Sequence, residues 1–109
     1  MEKEIRLWVD PGICGFKCDI EVKRVSKERV EIRINGTGCK HIQKLGESIP
    51  SLTLRDLFSP IIQNPVYLSA QRARCHPSCV IPVAIIKAAE IALETALPRD
   101  VSIKVDERP

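Results

Sequence analysis

The sequence predicts an α+β domain: a small, mainly antiparallel sheet in the order β-β-β-α-α-α-β, with its helices packed on one face. Three observations carry that prediction. Residues 20–25 and 30–34 alternate apolar with charged side chains around Ser26-Lys27-Glu28, the pattern of a hairpin with one wet face. Much later, CHPSCVIPVAIIKAAEIALETAL, residues 75–97, is apolar around most of a helix and needs something to cover it. No repeat, low-complexity tract or linker interrupts the chain, so residues 1–109 read as one domain.

Ile5, Leu7 and Val9 alternate with Arg6 and Trp8 in a first strand that Asp10-Pro11-Gly12 stops. PGICGFKC is then a turn holding Cys14 and Cys18. Ile20, Val22 and Val25 belong to a second strand, and Val30, Ile32 and Ile34 to a third, with Glu31 and Arg33 outward. Asn35-Gly36-Thr37-Gly38 ends that strand. CKHIQKLGES reads as a helix from Cys39, capped by Thr37 or Gly38 and ended by Gly46. In SLTLRDLF, Ser51 or Thr53 caps a short helix containing Leu54, Leu57 and Phe58. Residues 64–74, NPVYLSAQRAR, admit a strand, a helical turn or a loop. In the long helix, Ile81, Ile85, Ala88 and Ala92 recur at helical spacing, flanked by Ile86, Ala89, Leu93 and Ala96. Ser78 or Cys79 is its N-cap, Pro82 lies in its first turn, and Leu97-Pro98 ends it. Val101, Ile103 and Val105 alternate with Ser102, Lys104 and Asp106 as a closing strand.

Composition excludes several classes. The longest apolar run is broken by Lys87 and Glu90, too soon for a membrane span. A net charge of +3 says little about partners, and 4% aromatic residues argue against a nucleic-acid role, since few rings are available to stack on bases. The N-terminus lacks a charged-then-apolar signal pattern, so a cytoplasmic location is expected. Five cysteines is an odd number for a disulfide framework, and in a reducing compartment clustered thiols point to metal or redox chemistry.

The chemistry concentrates at junctions: Cys14 in the turn after the first strand, Cys39 opening a helix, and Cys75, His76 and Cys79 ahead of the last helix. Such junctions converge on one edge of a layered domain, where three or four soft ligands suit zinc or an iron–sulfur cluster. At a helix N-terminus the Cys79 thiol is expected to favour the thiolate, the metal-binding form. Both Cys14/Cys18 and Cys75/Cys79 have three intervening residues, unlike the two of a zinc knuckle, and cysteines buried as small hydrophobes account for the pattern equally well. Cys18 reads as a packed strand residue and His41 as a surface helix residue. For His76 a capping role, and for Cys39 an inert helix start, are the alternatives. Gly36 and Gly38 would admit a bound group close to the backbone. Arg72 and Arg74 read as a solvated basic edge, or as compensation for an anionic cluster.

Taken in order, GICGFKCDIEV, INGTGCKHI and CHPSCVIPVAIIKAAEIA resemble the three ligand segments of the U-type iron–sulfur scaffold proteins, over residues 10–96. The resemblance implies that Cys14, Cys39 and Cys79 match the three scaffold cysteines, with His76 or Cys75 near the fourth ligand position, and that a protein of iron–sulfur assembly is a partner. The chain departs from that pattern in having Phe16 where the family has an acidic residue. His76 also stands three residues before Cys79 instead of next to it, SAQRARC stands where the chaperone-recognition segment would be, the N-terminal helix is missing, and a strand follows the last helix. The chain is still more similar to a group of small proteins of anaerobic archaea and bacteria. They share the PGICGF opening, a mid-chain cysteine, and the Cys-x-x-Pro-x-Ala-Ile-Ile-Lys helix followed by Ala-Leu-Pro. That group brings no established activity.

The residues therefore favour metal binding, in cluster assembly or carriage, over turnover. A thiol redox enzyme or sensor using a low-pKa Cys79 or Cys39 is the second reading, though no Ser/His/Asp pattern accompanies it. A protein-interaction module with structural cysteines is the third. The composition admits a homo-oligomer.

Overall fold

The computed structural model describes residues 3–108. Its sheet is a four-stranded antiparallel meander in chain order: β1 (Glu4–Val9), β2 (Cys18–Arg24), β3 (Arg29–Asn35) and β4 (Ser51–Thr53). Register follows the alternation seen in the sequence. Ile20 pairs with Leu7 on one side and Ile34 on the other, and Val22 with Ile5 and Ile32, so the apolar residues share one face. Glu31 and Arg33 point to water on the opposite face. Val25 falls outside β2 and is exposed, because the hairpin turn already begins there, with Val25 and Ser26 donating to the Arg29 carbonyl.

Four α-helices and a 3-10 turn follow the hairpin: α1 (Lys40–Ser48), α2 (Leu54–Leu57), the 3-10 turn (Ile61–Gln63), α3 (Pro65–Arg72) and α4 (Ile81–Ala92). The apolar helix α4 lies across β1, β2 and β3. Its Ile81, Ile85, Ala88, Ala89 and Ala92 are buried with Ile20, Val22, Val30 and Ile32 of the sheet. Three alanines on that face leave no side chain to hold the helix axis away from the strands. Ile42 and Leu45 of α1 and Val66 and Ala70 of α3 complete the core.

Several boundaries differ from the sequence expectation. Residues 101–105 join no strand; the fourth strand is β4, where Val30 pairs with Leu52 and Glu31 with Ser51. Val101, Ile103 and Val105 are 60%, 83% and 92% exposed. Gly46 lies inside α1 instead of ending it, and a Cβ there would stand 3.4 Å from Ile34, so the glycine lets the helix settle on β3. The α1 N-cap is Cys39 itself. Helix α4 stops at Ala92, five residues before Leu97: Glu94 adopts φ 63, Thr95 N–H donates to the Glu90 carbonyl at 2.9 Å and Glu94 N–H to that of Ile91 at 3.1 Å. These two bonds make a Schellman ending, here without the usual glycine. Its N-cap is Val80, one residue after Cys79.

The stretch left open by the sequence is helical. Buried Asn64 caps α3, its side-chain oxygen accepting from Val66 N–H at 3.0 Å, and its amide donates to the Asp56 carbonyl at 3.0 Å. Pro65 then occupies a first-turn position where no N–H is needed. At α2, Thr53 is the cap, in a reciprocal capping box with Asp56, and Phe58 lies just past the helix end. No helix among the described residues is long and apolar enough to cross a membrane.

Candidate metal centre

One end of the domain collects the end of β1, the start of β2, the end of β3, the starts of α1 and α4 and the end of α3. All five cysteines lie in these junctions, and all are free thiols.

The turn between β1 and β2 is closed by its glycines. Asp10 Oδ1 accepts from Gly12 N–H at 3.1 Å and the Gly12 carbonyl from Gly15 N–H at 2.9 Å, with Gly12 and Gly15 at φ +91 and +72. Such φ values are cheap only for glycine. Cys14 projects between them, exposed. The loop is tied to the next junction by Phe16, whose ring lies 3.2–3.3 Å from where a Gly38 Cβ would be. Gly38 thus admits a side chain of the same protein. Next to it, Thr37 Oγ1 accepts from Cys39 N–H at 3.1 Å, and Cys39 is half-buried at the head of α1 with no side-chain cap bond.

Cys75 is delivered by a second Schellman ending. Cys75 N–H donates to the Ala70 carbonyl at 3.0 Å and Arg74 N–H to that of Gln71 at 3.1 Å, with Arg74 at φ 60. A tight turn follows, closed by Cys79 N–H on the His76 carbonyl at 3.0 Å. Cys75, His76 and Cys79, together with Tyr67, Pro77 and Pro82, line a groove of about 240 Å³.

The thiols act on one another. Burial pushes Cys75 up to about 11, and the neighbouring Cys79 and Cys39 add to this. Cys18, 1% exposed at the start of β2, is also pushed up to about 11, by burial first and then by Cys79, Asp19 and Cys39. Cys79 is raised by burial and by Cys39 and Cys14, while a hydrogen bond with the Ile81 backbone lowers it. The expectation of an easily ionised Cys79 is therefore overturned: the helix start acts in the expected direction, and burial outweighs it. Cys79 is linked in this way to each of the other four thiols.

Of the expected site residues, Cys39, Cys75 and Cys79 are half-buried, while Cys14 and His76 are exposed. Among the described residues no group of three His, Cys, Asp or Glu side chains is arranged to hold a metal ion. The donors have the right chemistry, and their arrangement is not a closed shell. His41 has a role that the sequence reading did not give it. Its Nδ1 lies 2.8 Å from the Ala73 carbonyl, tying α1 to the end of α3, and its ring stands edge-on to His76 with centroids 6.5 Å apart. With Nδ1–H donated to that carbonyl, Nε2 is the free lone pair of the ring. Nothing local signals this contact, since the partner is 32 residues away. Arg72 and Arg74 are exposed, as a solvated edge would be.

The sequence matches, over residues 5–105, a family described as a family of unknown function, DUF6951. The chain belongs to that family. The match runs from β1 through α4 and on through the extended segment to Val105, so DUF6951 includes every junction described above and the unpaired tail. It accords with the expectation of a small family without an assigned activity. No curated protein and no solved structure matches the chain.

Proposed function

We propose that the cysteine end of the domain is a soft-metal centre for an iron–sulfur cluster or zinc, and that the protein assembles or carries this cargo. Cys39, Cys75 and Cys79 would be the ligands fixed to the domain body, with Cys14 joining from the glycine turn and His76 available at the rim. The observation that carries the reading is the position of Cys79, which raises the Cys18 and Cys75 thiols and is itself raised by Cys39 and Cys14. Burial first, and the neighbouring thiols second, hold Cys75 and Cys79 protonated, since a thiolate there has no compensating positive charge. A metal centre would supply that charge, and its binding would release their protons. The likeness to U-type scaffold proteins points the same way and rests on the sequence motifs alone. A partner that donates or accepts the cluster, and a reducing, cytoplasmic setting, belong to the same proposal.

A low-pKa nucleophile is a weaker reading for Cys79 and Cys75, since both thiols are held above their ordinary value. The test is single replacement. Cys39→Ala or Cys79→Ala should remove most of the bound metal, and Cys18→Ala should retain it. Metal content unchanged in both of the first two variants would refute the proposal.

A further inference from the structure

The tail after α4 has the makings of a strand and no partner in its own chain. Val101, Ile103 and Val105 alternate with Ser102, Lys104 and Asp106, yet the three β-branched residues are 60–92% exposed. None of residues 100–108 makes a backbone hydrogen bond to another described residue. At the same time β1 is an edge strand with one side unpaired. Its inward residues Ile5, Leu7 and Val9 are only half-buried although they pack on the core. Trp8, the one tryptophan of the chain, is 67% exposed on the other face. An open edge and an unpaired apolar strand on the same molecule are a standing invitation to intermolecular pairing.

We infer that residues 101–108 add as an antiparallel fifth strand to β1 of a second copy of this chain, forming a reciprocally exchanged dimer. One register sets apolar residues against each other on the inner face, with Glu107 opposite the half-buried Ile5 at its end, and opposite charges against each other on the outer face. Leu7 faces Val105 and Val9 faces Ile103 on the inner side. On the outer side Glu4 faces Arg108, Arg6 faces Asp106 and Trp8 faces Lys104, giving two opposite-charge pairs and a cation over an indole. Asp106 and Arg108, now paired to each other in the exposed tail at 2.8 Å, would each gain a partner on β1.

The second copy is required by reach. The tail departs beside the start of β1, where Lys3 lies 3.8 Å from Glu94 and lines a hollow with residues 94–98. In this register Val101 sits level with Pro11, at the far end of β1. Eight strand residues cover roughly 26 Å, whereas the three steps from Pro98 to Val101 span at most about 11 Å. The chain's own tail cannot make that pairing.

Light scattering on the full-length protein from low micromolar to several hundred micromolar tests the inference, with Trp8 emission followed in the same samples. The expected result is a monomer–dimer equilibrium in which Trp8 shifts to the blue and becomes less quenchable by acrylamide as dimer forms. Ile103→Asp puts a carboxylate on the inner face of the added strand and should weaken the dimer at least about tenfold. Residue 103 lies outside the core, so circular dichroism and melting of the variant at monomer concentrations should be unchanged. A wild-type protein that stays monomeric throughout, including one whose tail closes on its own chain, would overturn the inference. So would a dimer that Ile103→Asp leaves intact.

Discussion

Cys18 should make the metal-free protein sensitive to alkali by an amount that its burial sets. In the folded chain its thiol is pushed from 9.0 up to about 11, chiefly by burial. The folded state therefore keeps a proton that the unfolded chain has already lost. A raised acid contributes stability that is fully present below the unfolded value, near pH 9, and is lost as pH rises through the folded value. Each pH unit of that interval corresponds to ~1.4 kcal/mol, so full loss amounts to roughly 2–3 kcal/mol, a large part of a small domain's stability. Cys18→Ala removes the titrating group at a cost of about 1 kcal/mol at neutral pH for the lost sulfur contacts. Urea denaturation of reduced, chelator-treated protein at pH 8 and at pH 10.5–11 reads out the difference. Because that loss exceeds the ~1 kcal/mol advantage, the wild type should fall below Cys18→Ala, by about 1 kcal/mol, at the higher pH. Cys75, raised for the same reason, contributes to both curves and cancels in the comparison. Parallel stability curves for wild type and Cys18→Ala would refute the assignment of Cys18 as a buried, protonated thiol.

Two predictions concern the segments that hold the site. Arg74→Gly should raise the melting temperature by a few degrees, since it relieves a non-glycine residue at φ 60 worth ~1 kcal/mol; a lower melting temperature in a thermal scan would contradict the strain argument. Asn64→Ala removes both the cap of α3 and the bond to the Asp56 carbonyl from a buried position. It should cost ~1–3 kcal/mol in urea denaturation, and a change within error would contradict the assigned role.

The parts of the fold that were legible are those with a local period. The β2–β3 hairpin announces itself because Ile20, Val22, Val30 and Ile32 alternate over enough residues to fix both strand type and face, and α4 because its apolar repeat is long. Strand β4 was not legible: three residues with one buried side chain, Leu52, carry no period, and their pairing with Arg29–Glu31 is decided by the chain between. Residues 64–74 stayed open because α3 is polar enough to blur its helical spacing, and its start at Asn64-Pro65 was not read as a cap. The end of α4 was misplaced because Glu94 takes a conformation normally left to glycine. Residues 101–105 show the converse case, a clear alternation whose partner is missing from the single chain. At the site, the sequence shows which thiols stand at junctions, and it cannot show how deeply each is buried. The protonation preference of Cys79 was misjudged because helix position is local, whereas burial under the rest of the fold is not. His41 was missed for the same reason, its partner carbonyl lying on another helix.

The central claim, that this end of the domain holds a metal centre, is met most directly by metal and acid-labile sulfide analysis with an absorption spectrum on protein purified without oxygen. The account predicts a loaded protein: brown with iron and sulfide, or colourless with zinc near one equivalent per chain. Protein that is colourless and metal-free, and stays so after anaerobic reconstitution with iron and sulfide and after addition of zinc, would contradict it.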